Sequence, residues 1–163
     1  MRQFLIAALM CCLATGAFAQ RAALKTNVLE WATATPNLGA EFVLGKSFSL
    51  NIEGAFNPIS TSKLGMRHAH LVPEARWWLG RALSRHFVGL LTGIGAYDVH
   101  LNETRHRGAH WVAGLSYGYD FVLSKHWNLE LTVAAGYRGY REPEVHHSFA
   151  PLKANVSFVY ILK

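Results

Sequence analysis

Cysteine is confined to Cys11 and Cys12 in a chain of 163 residues. Both fall in an N-terminal segment that reads as a leader, so the working chain has no thiol for a disulfide, a metal or a nucleophile. Past Gln20 no apolar run approaches the roughly 18 residues of a transmembrane helix. Also missing are a phosphate-cradling glycine loop, a Gly-x-Ser-x-Gly elbow and a His-Glu-x-x-His zinc helix, so the standard catalytic signatures are excluded. No Ser-rich or Pro-rich linker divides the chain, which predicts one domain. If this protein crosses a membrane, it must do so as a closed barrel, the other structure that satisfies every backbone group in lipid.

What is present begins with Arg2, the apolar run Phe4 to Leu13, and Ala17-Phe18-Ala19 before Gln20. That is the layout of a secretory signal peptide, predicting a cleaved leader over residues 1–19 and a domain over 20–163. A lipoprotein would want small residues ahead of its acceptor cysteine, and Leu9-Met10 ahead of Cys11 fits that poorly. The 16 lysines and arginines against 10 acidic residues make the chain basic. With export and no nucleic-acid motif, anionic lipid headgroups are the expected counterpart, and no nucleic acid.

The period of two is clear in four segments. Phe48, Leu50, Ile52, Gly54 and Phe56 alternate with Ser49, Asn51, Glu53 and Ala55. Trp111 to Leu123, Trp127 to Arg138 and Leu152 to Leu162 repeat the pattern, the last with Leu152, Ala154 and Val156 on its apolar side. Three further strands are expected over Leu38 to Gly45, His70 to Leu79 and Phe87 to Tyr97. An eighth, Ala23 to Ala32, has a facing the sequence leaves open. Gly89, Gly93 and Gly95, with apolar residues of both parities, predict a bulge or a partly buried face in the Phe87 segment. The expectation is a closed antiparallel up-and-down barrel of about eight strands, of outer-membrane type.

Connections alternate in length. Those at Gly45-Lys46, Gly80 to Arg85 and Ser124 to His126 are short, while Asn57 to Arg67, Asp98 to Ala109 and Arg141 to Ser148 are long. A periplasmic N-terminus puts the long ones outside, with Thr35-Pro36-Asn37 the short exception. Basic tips followed by aromatics, Lys46 with Phe48, Arg85 with Phe87 and Lys125 with Trp127, suit one membrane interface. Phe56, Tyr97, Trp111 and Tyr137 suit the other.

If the apolar set faces lipid, Glu41, Glu53, Glu74, Arg76, Asp120, Glu130, Arg138 and Lys153 share one interior. Eight strands enclose room only for side chains, so these charges should pair as a plug and leave no channel. Arg67, Arg105, Arg107 and Arg141, in the predicted outer loops, are the candidates for lipopolysaccharide phosphates or a surface partner. Nine histidines are the unusual count. Of these, His68, His70, His100, His106, His110, His146 and His147 map to the outer loops or their edges. Imidazole suits zinc, copper or iron, yet no spacing matches a defined site, and neither metal nor cofactor is expected. His110, Ser116 and Asp120 share one parity but are spread too far along the strand to form a catalytic group.

The stretch Leu24 to Glu41, Pro73-Glu74-Ala75-Arg76-Trp77-Trp78-Leu79, Gly114 to Tyr119 and Leu123 to Glu130 resemble the domain-of-unknown-function 3575 family, exported proteins of Bacteroides-type bacteria. The resemblance covers nearly the whole mature chain. It implies a small outer-membrane barrel with a structural or surface-interaction role, linked in some members to fimbrial or cell-envelope assembly. It carries over no catalytic residue. Outer-membrane barrels usually end on an aromatic residue, whereas Phe158 and Tyr160 here precede Ile161-Leu162-Lys163. The expected function is therefore non-enzymatic. A lipid-modifying outer-membrane enzyme and a soluble periplasmic barrel that binds a small apolar ligand are the rival readings.

Overall fold

The computed structural model describes residues 21–60, 64–101, 104–141 and 148–162. The leader, His146 and His147 lie outside the described residues. Eight strands are joined in sequence order into a closed barrel, with every neighbouring pair antiparallel. They are β1 (Ala22–Asn27), β2 (Asn37–Val43), β3 (Phe48–Asn57), β4 (Leu64–Trp78), β5 (Arg85–Leu101), β6 (Thr104–Val122), β7 (Trp127–Tyr140) and β8 (Ser148–Leu162). β1 closes the cylinder on β8 from Ala22↔Leu162 to Asn27↔Ser157. Closure gives every strand a hydrogen-bonded neighbour on both sides. Among the described residues no helix is long and apolar enough to cross a membrane.

The alternation read from the sequence becomes two faces. On β7, Asn128, Glu130, Thr132 and Ala134 are buried while Trp127, Leu131, Val133 and Tyr137 are exposed. β3 and β6 behave the same way, with Asn51 and Ser116 inside and Ile52 and Leu115 outside. Among the described residues the barrel buries sixteen polar or charged side chains and ten hydrophobic ones. That inverts the ordinary globular pattern.

Several expectations are corrected. The segment Ala23 to Ala32 is a strand only to Asn27. There the Asn27 side chain accepts the Leu29 N–H and caps a five-residue helix, α1 (Val28–Ala32). The first outer connection therefore runs over residues 28–36 and is not the short loop expected at Thr35 to Asn37. Asp98 to Ala109 is not a loop either. β5 and β6 stay paired up to Leu101↔Thr104, because main-chain pairing continues after the side chains lose their two-faced pattern. Leu152 does not face outward. The register shifts between Ala134↔Lys153 and Ala135↔Pro151, and this bulge turns Leu152 and Lys153 both inward. Finally, Phe87 is buried and Tyr97 shares its inward parity, so neither belongs to an outer girdle. β5 is also unbroken against β6. Of the two explanations for its glycines, the partly buried face is the one observed.

The interior is layered. At the short-turn end Trp78, Ala82, Leu83, Phe87, Ala23 and Val159 form an apolar floor. The 79–84 turn folds in beneath the strands, where the Leu83 carbonyl accepts from Asn128 Nδ2 at 3.0 Å. Trp78 Nε1 donates to Ser49 Oγ at 2.8 Å, so this buried indole is satisfied. Charged residues fill the middle, and a smaller apolar group of Leu91, Val112 and Ala134, with Val72 and Leu152 against it, lies farther out.

Candidate functional site: the lumen and the outer wall of β4 to β6

Arg76 organises the luminal charges. Its Nη1 donates to Glu41 at 2.9 Å and to Glu130 at 2.8 Å, and its Nη2 to Glu74 at 2.8 Å. Lys25 bridges Glu41 and Glu130. Lys153 pairs with Glu53 at 2.7 Å and Glu74 at 3.2 Å. Ser49 donates to Glu41 and Ser116 to Glu74, taking up lone pairs the cations leave. Fully charged groups persist in a dry interior only when both ion pairs and hydrogen bonds satisfy them, and this lattice does both.

Six of the eight predicted interior residues join this lattice: Glu41, Glu53, Glu74, Arg76, Glu130 and Lys153. Asp120 is buried but takes a hydrogen bond from Asn128 at 2.7 Å in place of a cation. Arg138 points inward without an ion pair among the described residues, and its Nε has no hydrogen-bond partner. Lys25 is the lattice member the sequence did not reveal. It lies on the short strand whose facing the pattern left open.

Above the lattice a cavity of about 330 Å³ opens between the strands and α1, bordered by Glu30, Glu53, His70, His110, Arg138 and Lys153. Glu30 lies 3.6 Å from His70 across it. Burial pushes the Glu30 carboxyl up, and the neighbouring Glu53 charge adds to the rise. Among the described residues no three His, Cys, Asp or Glu side chains gather to hold a metal ion. His110, Ser116 and Asp120 do not meet, since Ser116 is engaged by Glu74 and Asp120 by Asn128.

The predicted rim arginines fall on strands as well as loops. Arg67 on β4, Asp98 on β5 and Arg107 on β6 are direct cross-strand partners. Arg105 Nε and Nη2 donate to the two Asp98 carboxylate oxygens at 2.7 and 2.5 Å. That hydrogen bonding, with the charges of Arg105, Arg107 and Arg67 adding to it, holds the Asp98 carboxyl below the usual carboxylate range. Arg141 stands apart, its N–H bonded to the Ala109 carbonyl at 3.0 Å. On the outer surface just inside the Arg67–Asp98–Arg107 row is a groove of about 700 Å³ over Ala69, Ala96 and Ala109, edged by Leu71, Trp111 and Arg141.

A family model described as "Protein of unknown function (DUF3575)" matches residues 4–162, and the chain belongs to that family. No curated protein matches the sequence. Among solved structures, the crystal structure of Neisserial surface protein A (NspA) is similar, with a TM-score of 0.45 at 12% identity over 87% of this chain and 90% of that chain.

Proposed function

We propose that this DUF3575 chain is a non-enzymatic β-barrel of the Gram-negative outer membrane, with a closed polar lumen and a structural or surface-interaction role. Residues 1–19 act as its export leader in this reading. The inverted distribution of side chains carries it. Leu90, Ile94 and Leu115 stand about two-thirds exposed on a wall whose inner side holds a charge lattice. Apolar area left in water costs about 25 cal/mol per Å², and soluble monomers rarely expose patches above a few hundred Å². Hydrocarbon removes that cost.

Aromatic side chains bound the apolar wall at both ends. Phe48 pairs with Trp77 and Trp127 with Tyr160 at the short turns. Trp111, Tyr137 and Phe149 lie toward the other end. From Trp111 to Phe121, β6 runs about 33 Å, which a strand tilt of about 40° reduces to about 25 Å, the height of an outer-membrane apolar band.

The floor and the lattice together block passage along the axis, so this barrel is a plug rather than a pore. What it offers the outside is the β5–β6 extension with its arginines. Fimbrial or cell-envelope assembly is the process the family resemblance attaches to that surface. Membrane fractionation followed by electrophoresis of unheated and boiled samples tests the reading: the folded barrel migrates differently before boiling and stays with the outer membrane. Nitroxide labels at Leu50, Leu115 and Leu131 should be quenched by lipid-soluble oxygen. A chain that partitions into the aqueous phase without detergent, or labels accessible to water-soluble quencher, would sink it.

A further inference from the structure

We propose that the outer face of β4, β5 and β6 docks one phosphorylated, acylated glycolipid of the outer leaflet, its phosphates on Arg67, Arg105 and Arg107 and one acyl chain in the alanine groove below them. The inference rests on the reading that this wall faces lipid and that the long-strand end faces outward.

Three rows of cross-strand partners make the site. The outermost is Arg67↔Asp98↔Arg107, the next is Ala69↔Ala96↔Ala109, and the innermost is Leu71↔Ile94↔Trp111. Successive rows are two residues apart on each strand, so all three point to the same side of the sheet. Three methyl groups between a charged row and a bulky row leave a trough, and the groove of about 700 Å³ follows it. Apolar groove and cationic row therefore meet at one line, as acyl chain and phosphate do in the ligand.

Charge complementarity selects the occupant. Among the described residues one carboxylate, Asp98, serves the three arginines of this row. Asp98 is engaged on both oxygens by Arg105, which fixes that guanidinium, while Arg67 and Arg107 have no ion pair among the described residues. Among the described residues two positive charges are left over. Guanidinium forks bind phosphate through paired N–H donors, and several of them in a row favour a ligand with more than one phosphate. A zwitterionic lipid would bring its own ammonium against the same row. Arg141 at the groove edge adds a further cation where the chain enters the headgroup layer.

Native mass spectrometry of the full-length protein in detergent tests the site, with bisphosphorylated lipid A, monophosphoryl lipid A and phosphatidylglycerol added in equal amounts. The wild-type barrel should retain one bisphosphorylated lipid A in clear preference to phosphatidylglycerol. Replacing Arg105→Gln and Arg107→Gln together should weaken retention by about tenfold or more, the effect of losing charged hydrogen bonds. Ala96→Phe fills the groove on a lipid-facing position and should also weaken it, whereas Ala40→Phe on the outer face of β2 should not. Equal retention of phosphatidylglycerol, a double arginine variant that holds lipid A as the wild type does, or Ala96→Phe and Ala40→Phe that behave alike would each overturn the proposal. Heat-modifiable mobility checks that each variant is folded, and the wild-type lipid comparison decides even if a variant is not. Failure of the membrane reading shows separately, as aqueous partitioning of the wild type.

Discussion

The Arg76 guanidinium lies over the Phe87 ring, 4.3 Å from carbon to centroid. One residue thus joins the charge lattice to the apolar floor, and the two parts of the plug are a single packed unit. Phe87 in turn tilts against Trp78 at 4.8 Å between ring centres.

Removing Arg76 should therefore cost more than any other single change in the lumen. Arg76→Met leaves Glu41, Glu74 and Glu130 sharing Lys25 and Lys153. Stranding buried carboxylates in this way costs about 3–5 kcal/mol. Urea unfolding in lipid vesicles should show that loss, and Arg76→Met combined with Glu130→Gln should recover part of it. A double variant as unstable as the sum of the two single changes would mean the pair is not coupled.

The inward turn stores backbone strain at two positions with opposite consequences. Leu83 and Arg85 have φ of 61° and 65°, the left-handed region that favours glycine. Arg85 is exposed, so Arg85→Gly should raise stability by about 1 kcal/mol. Leu83 is buried in the floor, and Leu83→Gly loses about 2–5 kcal/mol of packing against a smaller relief of strain, a net loss. The two unfolding midpoints should move in opposite directions.

Glu30 gives the outer cavity a pH dependence. Its folded-state carboxyl titrates above the ordinary value because burial, then Glu53, oppose its charge, while Asn27 and Lys153 partly offset them. Between the unfolded and folded values the native state holds more protons. Stability contributed by the protonated group is thus full below that window and lost as pH rises through it. Glu30→Gln should leave stability unchanged well below the carboxylate range and raise it above. His70 lies 3.6 Å away, so comparing the variant in a His70→Gln background isolates the carboxyl. An advantage of Glu30→Gln that is the same at all pH values would argue against this account.

The barrel was legible where a strand has lipid-facing and luminal sides, because contact with two different surroundings imposes a period of two. Asn51, Glu130 and Thr132 could be placed inside on that ground alone. Lys25 could not, since β1 is only six residues and mixes alanine, leucine and threonine without a clear parity. Leu152 was misplaced because a bulge is a property of two strands and leaves no mark on one of them. The floor was missed for a different reason. Trp77-Trp78 necessarily sends one indole out and one in, but nothing local says that Ala82 and Leu83 fold beneath the inward one. The strand extensions holding Arg67, Asp98 and Arg107 looked like loops because both of their faces meet polar surroundings, so alternation vanishes while main-chain pairing continues.

A close backbone approach in the wall sets the last expectation. Gly114 and Gly136 are direct partners on β6 and β7. A Cβ on Gly136 would fall 2.3 Å from the Ala113 carbonyl oxygen and 2.4 Å from the Gly114 Cα, both backbone atoms that no rotamer change can move. Gly136→Ala should thus force the strands apart and cost about 1–3 kcal/mol, despite the entropy an alanine removes from the unfolded chain. Gly80→Ala, with nothing within 4 Å of its new methyl, should be neutral or slightly stabilising by that same entropy. The comparison separates steric contact from chain entropy, because only the first differs between the two sites. Equal midpoints for both variants would show that the β6–β7 spacing relaxes freely and that the glycine pair is not needed there.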